Sequence, residues 1–385
     1  MSITQWIIKK LAPVWGLEET IKKLNAGLNL GEPTNVKMPK EVVSGGLEFA
    51  ATGLLNMFAI QCNLDWVMPY WVNRQYDPTS GSYVPGTVLS TNLTHRNWTA
   101  IGTPASEREP VVDPTGLLTP WFDGWSVEFW VGKNKYLIIP SKNTEVYQYL
   151  VKQLPIVVSQ FIKKDVRLRI ESFVASGKDD IICNTIGIEN LESIPVELSA
   201  FVSIRPYNPE GIAPIQRIAW DDARRLFTVD GKTGLVLTEP PDRVYCSRWE
   251  DGDAAFKAFT EDQRPSVECE KGLATALAEF KLSLEPGQVR EITVRALSVP
   301  RTPESIPLPQ ITVRSHQELR QQTVDEWEKI AARGTSLRLP YQKMQNAFHA
   351  NKAHLYLFID DDVITPGPYM YHHEYFRDAA YSLLA

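Results

Sequence analysis

Alternation of apolar and polar residues with a period of two, sustained from about residue 49 to residue 299, limits how this chain can fold more than any other feature. Val166, Leu168, Ile170 and Ser172 alternate with Arg167, Arg169, Glu171 and Phe173. Successive side chains of a strand point to opposite faces, so each such run buries one face of a sheet. A second run of the same character spans 180–189, and Gly177-Lys178-Asp179-Asp180 between the two has the small and polar residues of a hairpin. Further strands are expected at 196–204, 215–219, 226–229, 234–238 and 279–284. Glu285-Pro286-Gly287-Gln288 then turns the chain into a strand at 289–296, and Tyr207-Asn208-Pro209-Glu210-Gly211 reads as a turn without chemistry. The expected fold class is therefore mainly β, a large antiparallel β-sandwich (a supersandwich) of two broad sheets packed face to face.

The pattern changes at Pro300, Pro303, Pro307 and Pro309, which mark an extended linker. Residues 315–333 then read as a linker helix, with Ser315 and Glu318 spaced as a capping box, Trp327 as an apolar anchor and Gly334 as terminator. After Leu339, Pro340 stands where a first helical residue belongs. Met344, Ala347, Phe348, Leu355 and Phe358 predict a helix packed on much of its circumference, ended by Asp360, Asp361 and Asp362. A loop at 364–368 leads to a second helix starting near His373 and still apolar at Ala385. Four parts follow: an amphipathic helical segment at 1–36, a sandwich at 37–299, the linker and its helix at 300–335, and a helical hairpin at 336–385.

A chain of 385 residues has room for two ordinary domains, because single cores rarely grow beyond roughly 250 to 300 residues. Its net charge of −6, from 40 basic and 46 acidic residues well mixed along the chain, gives no footprint for nucleic acid. Cys62, Cys183, Cys246 and Cys269 form no CxxC pair, so they read as buried thiols rather than a zinc or redox site. The first 30 residues have Trp6, Ile7, Ile8, Leu11, Val14, Trp15 and Leu17 among lysines, without a signal peptide's apolar core or cleavage site. Docking on the rest of the chain is the expected fate of that segment, with a membrane-surface helix as the alternative. Residues 42–60 are broken by Glu48, Asn56 and glycines, so no membrane span is expected. The acceptor patterns at Asn92 and Asn97 matter only in a secreted protein, and a cytoplasmic location is expected.

The string from Pro366 to Tyr381 carries the chemistry. A loop rich in proline and glycine delivers Tyr371, His372, His373, Tyr375, Phe376, Arg377 and Asp378 to the start of a helix. Aromatic faces stack on pyranose rings, while a carboxylate and a guanidinium make charge-assisted bonds to vicinal hydroxyls. The segment 339–385 resembles the first hairpin of the six-hairpin (α/α)6 glycosidases, of the glucoamylase-like and glycogen-debranching-like kind. In that group a helix ends, a loop follows, and an aromatic-Arg-Asp-Ala-Ala sequence opens the next helix, as Phe376-Arg377-Asp378-Ala379-Ala380 does here.

The resemblance implies that Arg377 and Asp378 bind hydroxyls of the sugar next to the cleaved bond, with Tyr371, His372, His373 and Phe376 beside them. It also implies that this chain is the N-terminal portion of a glycoside hydrolase acting on an oligo- or polysaccharide, with an α-glucan as the expected substrate. Glycoside cleavage needs two carboxyl groups flanking the bond. In the resembled group both lie on later hairpins, so a C-terminal helical barrel in cis is the implied partner and no catalytic residue is expected here. A sugar phosphorylase of a related barrel, or a non-catalytic carbohydrate-binding or scaffold protein, are the alternatives.

Other readings compete at several positions. Arg377 and Asp378 also fit a structural pair at a helix start, where a carboxylate meets the positive end of the dipole. Glu374 among Tyr371, Tyr375 and Phe376 is a candidate acid with no identifiable partner. His372 and His373 point about 100° apart on a helix, and His349 and His354 miss the i, i+4 spacing, so no metal is expected. No cofactor is expected either. The aspartate run at 360–362 lacks a calcium loop's alternating ligands and reads as a solvated helix end. In the sandwich, Trp121 and Trp125 with Phe122, Asp123 and Trp130, and the cluster His95, Arg96, Asn97 and Trp98, read as a sugar platform or as core packing.

Overall fold

The computed structural model describes residues 66, 98–104, 106, 109–121, 124–142, 145–209, 211–360, 363–368 and 375–384. The readings of segments 1–36 and 42–60, Cys62 and the cluster from Asn92 to Asn97 fall outside the described residues. The strands are, in chain order, β1 (Thr99–Ala100), β2 (Val111–Val112), β3 (Leu118–Thr119), β4 (Ser126–Lys133), β5 (Tyr136–Ile138), β6 (Tyr147–Leu150) and β7 (Val157–Lys163). There follow β8 (Val166–Ala175), β9 (Ile181–Asn190), β10 (Val196–Arg205), β11 (Tyr207–Asn208), β12 (Gly211–Ile212), β13 (Arg217–Asp221), β14 (Leu226–Val229) and β15 (Lys232–Leu237). The sandwich closes with β16 (Arg243–Ser247), β17 (Ser266–Glu268), β18 (Thr275–Leu284) and β19 (Val289–Leu297).

Two antiparallel sheets result, as the alternation requires. One runs β1-β2-β3-β4-β10-β18-β16, with β5 on β4, and the other runs β17-β13-β14-β15-β19-β9-β8-β7-β6. The core between them takes alternate residues of both, among them Phe129, Val131, Leu168, Ile170, Ile186, Val202, Phe280 and Val294. Gly287, at φ +72°, makes the turn between β18 and β19 that the Pro-Gly pair announced.

Two strands depart from the expectation. All eight residues of β4 are buried, so it shows no alternation: Val127, Phe129 and Val131 face the core, while Glu128 and Trp130 lie under the segment that follows β16. Strand β18 begins four residues before the expected 279, because Ala276 and Ala278 fill inward positions where small residues hide the pattern. Tyr207–Asn208 and Gly211–Ile212 pair as the short β11–β12 ladder.

The helices are α1 (Leu308–Thr312), α2 (His316–Ala331), α3 (Gln342–Leu357) and α4 (Phe376–Leu384). In α2 the Ser315 hydroxyl accepts the Glu318 N–H at 3.1 Å, and the Glu318 carboxylate accepts the Ser315 N–H at 2.7 Å. Leu319, Thr323, Val324 and Trp327 form its buried stripe. That stripe joins Phe173, Ala175, Ile181 and Cys183 from the outer face of the nine-stranded sheet, and Ala353 and Leu357 of α3, in a second core. Each large apolar side chain so buried contributes about 1.5–3 kcal/mol. The Trp327 indole N–H also donates to the Gly102 carbonyl at 3.1 Å.

Helix α3 corrects three expectations. Pro340 precedes the N-cap, Tyr341, whose extended backbone (φ −101°, ψ 113°) starts the helix at Gln342, two residues later than a proline at the first helical position would. Only Ala353 and Leu357 are buried and Met344 is 57% exposed, so one stripe rather than most of the circumference is packed. The helix ends at Leu357, not at the aspartates. Asp360 lies in the short ladder of β20 (Ile359–Asp360) with β21 (Val363–Ile364), because Thr365 N–H bonds back to the Phe358 carbonyl at 3.0 Å. Asp361 and Asp362 lie outside the described residues. Among the described residues no helix is long and apolar enough to cross a membrane.

Candidate functional site

Helix α4 starts at Phe376, and the Tyr375 carbonyl accepts the Ala379 N–H at 2.8 Å to close its first turn. Ala379 faces inward at 5% exposure, which turns Arg377 and Asp378 outward. Their side chains are 81% and 41% exposed, and Arg377 Nη2 lies 3.5 Å from Asp378 Oδ2. A pair this exposed adds little stability. It presents instead a guanidinium edge and a carboxylate edge side by side in solvent, which is the donor and acceptor set that vicinal hydroxyls accept. Tyr371, His372, His373 and Glu374 lie outside the described residues, and only the backbone of Phe376 is described.

Trp121 and Trp125 stand elsewhere, in the sandwich. Their rings meet edge to face with centroids 5.2 Å apart. The Trp121 indole N–H donates to the Leu297 carbonyl at 2.8 Å, at the end of β19. Trp125 is 6% exposed and belongs to the core, and its ring lies over Gly234 of β15. Phe122 and Asp123 lie outside the described residues. The two tryptophans are thus fastened to β15 and β19, whereas Arg377 and Asp378 stand on α4.

Two buried ionic networks were not read from the sequence. On the outer face of the eight-stranded sheet, Arg205 grips Asp253 with two bonds of 2.6 and 2.8 Å, and its guanidinium lies 5.0 Å from the centre of the Trp130 ring. Tyr207 donates to Glu128 at 3.3 Å, as does the Trp130 indole at 2.9 Å. Burial pushes the Tyr207 phenol up, and the Glu128 charge adds to it, so Tyr207 stays a neutral donor. Beside it, Arg243 bonds Glu279 at 2.7 Å. Both arginines tie the turns at 249–258 to the sheet: Arg205 through Asp253, and Arg243 through the Ala258 carbonyl at 3.1 Å.

On the nine-stranded sheet, Glu171 is 1% exposed and accepts from Arg169 at 2.6 Å, Arg320 at 2.8 Å and His316 Nε2 at 3.1 Å. Burial alone would raise its carboxyl, but the His316 bond and the charges of Arg169 and Arg320 outweigh it and hold the group at about 2. His316 Nδ1 lies 3.0 Å from the Thr185 hydroxyl. The raised carboxyl of Asp230, lifted by burial, accepts the N–H groups of Gln216 and Arg217 at a hairpin end. Glu171 is locked in the ionised state and so cannot give up a proton to a leaving group.

Cys183, Cys246 and Cys269 are buried free thiols, and burial pushes Cys183 and Cys246 up to about 12. Among the described residues no three His, Cys, Asp or Glu side chains are grouped to hold a metal.

No family model matches the sequence, and no curated protein matches it. Among solved structures, the chain is similar to a putative kojibiose phosphorylase from human microbiome, with a TM-score of 0.40 and 7% identity over 67% of this chain and 34% of that one. A GH92 family glycosyl hydrolase gives a TM-score of 0.33 and 11% identity over 70% of this chain and 41% of the other. A family GH92 alpha-mannosidase from Bacteroides thetaiotaomicron gives 0.26 and 10%, over 58% and 28%. The chain spans less than half the length of each of these structures. Likeness at this level assigns neither fold nor function.

Proposed function

We propose that this chain is the N-terminal portion of a carbohydrate-active enzyme of the glycoside hydrolase kind, in which α3 and α4 form the first hairpin of an (α/α) catalytic domain behind a β-sandwich. The observation that carries the proposal is the Arg377–Asp378 pair, solvent-facing on the first turn of α4, after a sandwich, a linker helix and a helical hairpin in that order. In this reading the pair binds hydroxyls of the sugar beside the cleaved bond. Tyr371, His372, His373 and Phe376 complete that subsite, and the acid and base come from a helical barrel in cis. The free buried thiols support a cytoplasmic setting for the protein.

Saturation-transfer NMR of this chain with maltooligosaccharides tests the subsite. Transfer to the sugar protons is expected from the wild type and is lost with Arg377→Ala together with Asp378→Ala. Both side chains are exposed, so the double variant should keep the wild-type melting temperature. Equal transfer from wild type and double variant, or none from the wild type, overturns the assignment. Sugar release by residues 1–385 alone, in water or with inorganic phosphate, would overturn the placing of the acid and base outside this chain.

A further inference from the structure

Among the described residues, the outer face of the nine-stranded sheet is covered at one end and open at the other. Helix α2 lies over Phe173 and Ala175 of β8, and its first turn reaches Glu171 through His316. Further back along the same strand the sheet register sets Tyr147, Gln160, Arg169, Gly187 and Glu291 side by side across β6, β7, β8, β9 and β19. Tyr147 is 63% exposed, and its ring centre lies 5.6 Å from that of Tyr149 with the planes tilted by only 33°. In the next row Ile162 and Val289, both more than half exposed, flank Arg167 and Glu189.

Among the described residues nothing requires a glycine at Gly187. It sits inside a ten-residue strand whose register runs without a shift against both neighbours. Its backbone is not in the left-handed region, and a Cβ built there meets nothing closer than 3.7 Å. Neither a bulge, nor a turn, nor crowding therefore calls for glycine, which weakens a strand by forfeiting side-chain packing and conformational restriction. Close approach by something from outside the sheet is the remaining cause of an interior glycine.

The charges say what that something is. The guanidinium groups of Arg167, Arg169 and Arg320 are matched in number by the carboxylates of Glu171, Glu189 and Glu291. Arg167 pairs with Glu189 at 2.5 Å and Arg169 with Glu171 at 2.6 Å. A face balanced in this way offers fixed donors and acceptors without net charge, so it complements a neutral, hydroxyl-rich ligand rather than a phosphate backbone or an acidic peptide. Tyr147 and Gly187 are three strand spacings apart, about 14 Å, so the ligand is a chain and not a single sugar.

We infer that this open sheet face binds a neutral oligosaccharide chain, stacked on Tyr147 and Tyr149 at one end and lying against the strand backbone at Gly187. The surface stands apart from Arg377 and Asp378 and holds the glycan without cleaving it. Native gels cast with galactomannan or xyloglucan, neither of them an α-glucan of the kind the α4 subsite would take, test it with the 385-residue chain. Slowed migration of the wild type is expected in at least one gel, and Tyr147→Ala abolishes it. Gly187→Val also abolishes it while leaving the melting temperature unchanged or higher, a combination that a merely structural glycine would not give. Because neither gel polymer is an α-glucan, this surface and the α4 subsite fail separately. Unslowed migration in every gel, or slowing that survives both Tyr147→Ala and Gly187→Val, overturns the inference. Sedimentation showing a wild-type dimer that both substitutions dissolve also overturns it, by assigning the face to a second copy of the chain.

Discussion

Replacing Glu171 with glutamine separates charge from packing in the docking of α2. The wild-type carboxylate is buried to 1% exposure and receives Arg169, Arg320 and His316 from two elements. Its carboxyl is held at about 2 against an ordinary 4.5. At about 1.4 kcal/mol per pH unit, that displacement corresponds to about 3 kcal/mol of stability near neutral pH. The sign follows from the folded-state value lying below the unfolded one. The contribution is complete well above pH 4.5 and is lost as the pH falls through 2. Glu171→Gln keeps the shape, removes the charge and leaves two guanidinium groups short of an acceptor. Urea denaturation followed by circular dichroism should show the variant less stable by about 3 kcal/mol at pH 7, and by roughly half that or less at pH 3. A difference below about 1 kcal/mol at pH 7, or one of the same size at both pH values, would refute the electrostatic account and leave α2 held by apolar contact alone.

Trp327→Ala removes the largest side chain shared by α2 and the sandwich together with its bond to Gly102, and should lower stability by about 3–5 kcal/mol in the same denaturation assay. Arg205→Ala leaves Asp253 buried without its partner, at a loss of about 3–5 kcal/mol, and should open residues 249–258 to limited proteolysis before the rest of the chain. Ser315→Ala deletes the N-cap acceptor of α2 and should lower stability by about 1 kcal/mol without changing the Glu171 pH dependence.

What could be read from the sequence followed from local pattern. Strands β8, β10 and β19 alternate because one face is core and the other meets solvent or a polar network, and Ser315 and Glu318 mark the start of α2 through a capping box formed within three residues. Strand β4 escaped because both of its faces are covered, which leaves Phe129 and Trp130 adjacent with no period to detect. The buried networks escaped for a different reason. Glu171 and His316 are 145 positions apart, Arg205 and Asp253 are 48 apart, and no local rule pairs them. Of the candidate site, Arg377 and Asp378 were legible as an adjacent pair set at a helix start, and their outward direction follows from Ala379 turning in. The tie between Trp121 and Leu297 spans 176 positions and was not legible.

Gly102 meets both helices at once. Its carbonyl receives the Trp327 indole, and a Cβ in its place would sit 2.6 Å from the Leu357 side chain of α3. The helices that follow the proline-rich stretch are therefore seated on a loop read some 200 positions earlier. Any transplant of this helical pair onto a different sandwich would have to carry the Gly102 loop with it. The proline-rich stretch, which looks like the natural place to cut, would divide a single core into two halves that each expose apolar surface to water.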